Sequence, residues 1–249
     1  MTLHLRWAAV TDRGHVRSSN QDCYYAGDRL LVVADGMGGM AAGDVASAIA
    51  VEAMKPLDIP IGNEHQMDAL HKALEAANGR IAETVTADPA LQGMGTTLTA
   101  MVFSGDRAAL AHVGDSRAYL LRDGRLNQLT KDDTYVQMLV DQGLIRPEEA
   151  GSHPRRAVVT QALQGEPVSP SYVIVEPEPG DRWMLCSDGL TTVVSPSLQS
   201  SHRSPGCGST TTYDGLTGSP CNAWVTTARR GCPAASSGRI RPWSTSICT

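Results

Sequence analysis

The chain has 249 residues, 41% of them hydrophobic, and a net charge of −5, which fits a globular protein with one large domain or two small ones. The acidic balance argues against a nucleic-acid surface. No apolar run reaches the roughly 18–20 residues of a membrane helix, and the N-terminus lacks the basic start and apolar core of a secretory signal, so a cytoplasmic location is expected.

Two strands are predicted first, over residues 3–10 and 29–34. "LLVVA" (30–34) is apolar without alternation, as in a strand buried on both faces. An Ala-rich helix follows over 41–57, stopped near Pro56. A second helix over 63–85 carries Met67, Leu70, Leu74, Ala77 and Ile81 on one face, with Asn63 as its expected N-cap. Strand signals over 96–105, 107–114, 116–124 and 125–130 are joined by short Gly/Asp turns and read as an antiparallel meander. Helices are predicted at 133–143 and 146–151, and strands at 157–163, 171–177 and 181–187. Early helices with hairpin-linked strands point to an α+β class.

After Leu190 the patterning fails. Residues 1–190 hold 25 of the 26 acids and 16 of the 21 basic residues; residues 191–249 hold one acid, Asp214, and five Arg. Four of the six cysteines, Cys207, Cys221, Cys232 and Cys248, lie in this tail. The whole chain has 18 Arg but three Lys, as a GC-rich gene gives, and the tail reads as a shifted reading frame of such a gene. A natural disordered tail is the alternative. A domain over 1–194 and a low-order tail over 195–249 are therefore expected, with the final strands missing.

Three Asp-Gly pairs punctuate the chain. Asp123-Gly124, flanked by Arg122 and Arg125 with strand on both sides, reads as a type I′ hairpin turn. Asp35-Gly36 and Asp188-Gly189 instead end apolar runs, which puts carboxylates at the edge of a core. Buried unpaired carboxylates are costly, and several together call for cations. Asp22, Asp115, Asp132 and Asp133 sit at similar junctions. Acids without a His or Cys cluster favour hard ions such as Mg²⁺ or Mn²⁺, and the seven scattered His make zinc improbable. Surface ion pairing or turn capping is the plainer reading of each acid.

"RSSNQD", "VADGMGG", "GMGTTLTA", "HVGDSRAYL", "LTKDDT" and "CSDGL" occur in this order. Over about residues 5–194 the chain resembles the bacterial metal-dependent Ser/Thr protein phosphatases of the PPM, 2C-like type. The resemblance implies a four-layer α-β-β-α sandwich, two antiparallel sheets flanked by helices, incomplete at its C-terminal end. It implies Mn²⁺ or Mg²⁺ as two core ions, with a third beside them. Asp35 resembles the bridging ligand, Gly36 the backbone-carbonyl ligand, Asp188 the second Asp-Gly ligand, and Asp115 with Asp188 the third-ion site. Asp22 matches the early acidic position, and Gln21 stands where many members have Glu. Arg17 resembles the phosphate-binding Arg. Asp35, Asp188 and Arg17 are thus the expected catalytic set, and metal-activated water attacks the phosphorus directly. Met37 replaces the His many eukaryotic members carry; His153, in the expected flap segment, is a weaker acid candidate. The implied partners are phosphoproteins modified by a bacterial Ser/Thr kinase. The family's late Gly-x-Asp-Asn motif is absent from the tail, so a pseudophosphatase that binds phosphoproteins or a kinase is the alternative.

Overall fold

The computed structural model describes residues 5–14, 17–38, 42–192 and 220–227, the last as backbone. Among these residues, two antiparallel sheets form the centre. The first takes strands β1 (Trp7–Gly14), β7 (Arg117–Arg122), β8 (Arg125–Gln128), β10 (Arg182–Cys186) and β11 (Pro220–Thr227), in the order β1-β11-β10-β7-β8. The second takes β2 (Asp22–Ala26), β3 (Leu30–Met37), β5 (Leu98–Ser104), β6 (Arg107–Val113) and β9 (Ser171–Val175), in the order β2-β3-β5-β6-β9. The two-residue β4 (Gly95–Thr96) pairs with the end of β3.

The apolar run of β3 explains the layering. Leu30, Val32 and Ala34 face helices α1 (Ala42–Met54) and α2 (Gln66–Ala87), with Leu70, Leu74, Ala77 and Ile81 packing onto them. Leu31 and Val33 face the other sheet, against Ala118, Leu120, Trp183 and Leu185. The period-2 geometry of a strand sends alternate side chains to the two cores. On the outer face of the first sheet, Tyr119 and Cys186 pack against Leu190 of the short helix α5 (Asp188–Thr191).

The topology gathers the ends that matter. β3 and β6 both run antiparallel to β5, so they are parallel to each other and finish at one end of the sheet. The short 114–116 turn starts β7 at that same end. β10 runs antiparallel to β7 and therefore finishes there too. Asp35, Asp115 and Asp188 thus leave their strands at a common edge.

Several expectations need correction. β2 has no counterpart among the predicted strands, and β1 runs to Gly14. The 157–163 segment is not a strand; it makes only isolated bridges, Thr134 to Val159 and Thr96 to Leu163. The N-cap of α2 is His65, while Asn63 donates its side-chain amide to Asp106 Oδ1 at 2.5 Å. Local pattern predicts no strand in the tail, yet β11 lies between β1 and β10, paired with both. Its neighbours are polar-rich, and its place is set by two open strand edges rather than by local pattern. Asp214 and the tail cysteines Cys207, Cys232 and Cys248 lie outside the described residues. The hairpin reading of Asp123-Gly124 agrees with the backbone: φ is 52° and 77°, with Arg122 paired to Arg125, the left-handed pair that a type I′ turn requires.

Between the sheets, Phe103 is 1% exposed and meets Trp183 edge-on, with ring centroids 5.5 Å apart. Phe103→Ala should therefore cost about 3–5 kcal/mol, measured as a lowered urea midpoint with an unchanged m-value.

Candidate metal centre

Asp22 opens β2 and stands directly opposite Asp35 in the β2–β3 register. Its side chain is buried, and Ser187 Oγ donates to Asp22 Oδ2 at 2.8 Å. Because Ser187 precedes Asp188 and directly follows β10, this bond joins the first sheet to the second. Asp35 N–H donates to Thr97 Oγ1 at 3.0 Å. Its carbonyl accepts from the Thr97 N–H and the Thr96 hydroxyl at 2.9 and 3.0 Å.

Gly36 is where strand meets helix. A Cβ at Gly36 would stand 2.0 Å from the Gly43 carbonyl oxygen, and one at Gly43 would stand 2.7 Å from the Gly36 carbonyl carbon. Only two glycines allow this approach. Ser47 Oγ, on α1, donates to the Gln21 carbonyl at 2.7 Å, and Gly36 N–H donates to that same carbonyl at 3.2 Å. The start of α1, the end of β3 and the approach to β2 are thereby locked together.

The electrostatics show convergence. The Asp35 carboxyl is held well above the usual carboxylate range, first by burial and then by Asp22, Asp188 and Asp115. Asp115 is pushed up to about 7, first by burial, then by Asp188 and Asp132, with its own backbone N–H and Arg117 opposing. Like charges in a poorly solvated site disfavour ionisation unless cations enter. Asp22, Asp35, Asp115 and Asp188 thus form one cluster.

Asp132 and Asp133 have other work. Asp132 receives a two-pronged bond from Arg117, Nε to Oδ1 at 2.8 Å and Nη2 to Oδ2 at 2.6 Å. Although burial disfavours the Arg117 charge, Asp132 outweighs it and keeps the guanidinium protonated. Asp133 accepts the Gly114 N–H at 2.9 Å and the Gln161 amide at 3.1 Å, clasping the Asp115 turn to the segment that follows helices α3 (Tyr135–Asp141) and α4 (Pro147–Ala150).

Arg17 is exposed on the loop entering β2, outside the four-acid cluster's polar network. Met37 takes a 3.7 Å contact from the Gln164 amide at its sulfur. His153 is engaged within the flap: its Nδ1 accepts the Arg155 N–H at 3.1 Å, its ring lies 6.0 Å from that of Tyr135, and Arg155 stacks over the same Tyr at 5.2 Å. Sequence reading missed Ser187, Thr97 and Arg117. Ser187, Thr97 and Arg117 lie inside the quoted motifs "CSDGL", "GMGTTLTA" and "HVGDSRAYL", but a hydroxyl or a guanidinium in a strand-like run gives no separate signal.

The donor set fits hard divalent ions: carboxylates and the nearby Gly36 backbone, without sulfur or a His cluster. Among the described residues, no three acid, His or Cys side chains converge closely enough to cage an ion unaided. Ions at this edge would complete their shells with water, as Mg²⁺ characteristically does.

A family profile described as protein phosphatase 2C matches residues 12–211. The serine/threonine protein phosphatase PstP of Mycobacterium tuberculosis is 54% identical over 195 residues, covering 78% of this chain and 38% of that protein. The chain thus spans about two fifths of the length of that relative. The serine/threonine phosphatase stp of Listeria monocytogenes is 39% identical over 194 residues, 74% of this chain and 77% of that one. Among solved structures, the M. tuberculosis PstP/Ppp phosphatase superposes with a TM-score of 0.83 at 44% identity, covering 92% of this chain and all of that one. The PstP catalytic domain in complex with two manganese ions gives 0.78 at 45% identity, covering 92% and 99%. With the profile spanning most of the chain, this protein belongs to the protein phosphatase 2C family.

Proposed function

We propose that this chain hydrolyses phosphoserine and phosphothreonine on proteins at a divalent-metal centre built on Asp35, the Gly36 carbonyl and Asp188, with Asp115 and Asp22 beside them. The observation that carries this reading is the meeting of four carboxylates from both sheets at one edge, which Mn²⁺ or Mg²⁺ would relieve. The likeness to a catalytic domain described with two manganese ions supports the choice of ion. Ions held there would supply an activated water and offset charge on the phosphoryl oxygens.

The chain's own residues then divide the work. Asp35 and Asp188 would hold the ions, one from each sheet. Arg17, exposed and with a forked guanidinium, takes two oxygens of the phosphate. Met37 has no proton to give, so the departing seryl or threonyl oxygen takes its proton from water. The flap, with Arg155 fixed over Tyr135 and Arg156 beside it, offers a basic rim to the peptide around the phosphate. The substrates would be phosphoproteins, those of a bacterial Ser/Thr kinase.

The second reading, a pseudophosphatase that binds phosphoproteins without hydrolysing them, is favoured by the missing Gly-x-Asp-Asn motif and the incomplete cage of side chains. A Mn²⁺ titration with an aryl phosphate separates the two. Hydrolysis that rises with Mn²⁺ supports the enzyme; metal-independent phosphopeptide binding without turnover supports the alternative.

Asp35→Asn should lower Mn²⁺-dependent hydrolysis by at least about two orders of magnitude, since it removes the negative charge with which Asp35 would hold the ions; unchanged turnover would refute the site. Replacing Arg155 and Arg156 together by Ala should raise KM for phosphopeptides and leave aryl phosphate hydrolysis near normal. A pH test follows from the cluster. Asp35 and Asp115 hold protons more tightly when folded than when unfolded, so their contribution to stability is greatest below the ordinary value of 3.8 and is lost as pH rises to about 7 for Asp115. Stripped of divalent ions, the chain should therefore melt at a higher temperature at pH 5 than at pH 8, and Mn²⁺ should restore stability at pH 8.

A further inference from the structure

The four carboxylates repel one another, and backbone alone leaves their side chains free to splay. Two buried hydroxyl groups, neither of them a metal donor nor a substrate contact in the reading above, tie them together. Ser187 is fully buried and sits one residue before Asp188. Its hydroxyl donates to Asp22 Oδ2 at 2.8 Å, across 165 residues of chain. Asp22 in turn faces Asp35 in the β2–β3 register.

Thr97 occupies the gap between β4 and β5 and is 1% exposed. Its Oγ1 accepts the Asp35 N–H at 3.0 Å. The same oxygen lies 2.9 Å from Oγ of Ser116, the residue after Asp115. The Thr97 methyl closes on the turn from the other side: a Cβ on Gly114 would stand 2.6 Å from Cγ2, and Gly114 has φ of +107°. Each hydroxyl therefore runs from the backbone or carboxylate of one acid to the segment that bears another. Ser187 links the β10 end to β2; Thr97 links the β3 end to the β6–β7 turn.

We propose that Ser187 and Thr97 are positioning residues that fix the mutual spacing of Asp22, Asp35, Asp115 and Asp188 for divalent cations. The inference rests on the metal-centre reading. Without these ties the acids relax apart, and an arriving ion must draw them together against their repulsion. Groups that orient ligands in this way typically control metal affinity by ~10–100-fold. The hydroxyl, and not merely the volume, is the active feature.

The test uses the full chain, stripped with chelator, dialysed, and titrated calorimetrically with MnCl₂. Ser187→Ala and Thr97→Val should each weaken Mn²⁺ binding ~10–100-fold. Thr97→Ser, which keeps the oxygen, should bind close to the parent value. In turnover of an aryl phosphate, the half-saturating Mn²⁺ concentration should rise while kcat at saturating Mn²⁺ is largely kept. Metal-free thermal unfolding is measured on every variant. A cooperatively folding Ser187→Ala or Thr97→Val with parental Mn²⁺ affinity overturns the proposal for that residue. So does a variant that has lost cooperative unfolding, because its hydroxyl then serves the fold. Equal loss in Thr97→Ser and Thr97→Val overturns the role of the Thr97 hydroxyl. A parent chain that binds no Mn²⁺ overturns the metal-centre reading itself, which separates the two failures.

Discussion

The contacts at the acidic edge of this molecule answer to the mutual repulsion of four carboxylates that feel one another's charge where solvation is poor. Such a cluster is unfavourable in isolation, because burial weakens solvation and each charge raises the cost of the next. The fold contains it by packing. Gly36 against Gly43, the Gln21 carbonyl shared by Gly36 and Ser47, and the Arg117–Asp132 pair all stiffen the rim. These contacts would be ornamental on a neutral surface. Around an acidic edge they hold the strand ends against an outward push.

The containment is supplied from the two apolar cores. One lies between the second sheet and helices α1 and α2; the other lies between the sheets. β3 belongs to both, since Leu30, Val32 and Ala34 look one way and Leu31 and Val33 the other. A strand buried on both faces cannot slip by one residue without reversing every side chain. The position of Asp35 is thus fixed by five apolar residues before it. Asp188 is fixed likewise by Trp183 and Leu185, which anchor β10 from the inter-sheet side.

The legible parts of the sequence were those where local pattern and tertiary role agree. Leu30–Ala34 is apolar because it is buried twice, and Asp123-Gly124 is a turn because both residues need positive φ. The α2 stripe of Leu70, Leu74, Ala77 and Ile81 is the face that packs. The illegible parts are those decided by partners. "DCYYA" becomes β2 because β3 offers an edge, although it begins with an acid. "AVVTQAL" has a strand's composition but is spent on single bridges that fasten the flap. Pro220–Thr227 is a strand because β1 and β10 leave a gap. The six motifs identified the candidate acids, while Thr97 and Ser187 stayed hidden: a buried hydroxyl is recognised by what it touches.

The place of β11 has a consequence for the order in which the protein is made. The second sheet uses residues 22–175 and packs on helices that lie within the same span, so it can assemble while the ribosome is still adding the rest. The first sheet cannot: its edge strand β1 precedes the second sheet in the chain, and among the described residues it pairs with β11, more than 200 residues later. β1 must wait until β11 has emerged, and closing so long a loop is slow and entropically costly. Asp22, Asp35 and Asp115 are therefore in place on a finished half before the half that contributes Asp188 is complete. The emerging chain carries an acidic edge with one wall still open, and β11, set between β1 and β10, is the strand that completes that wall.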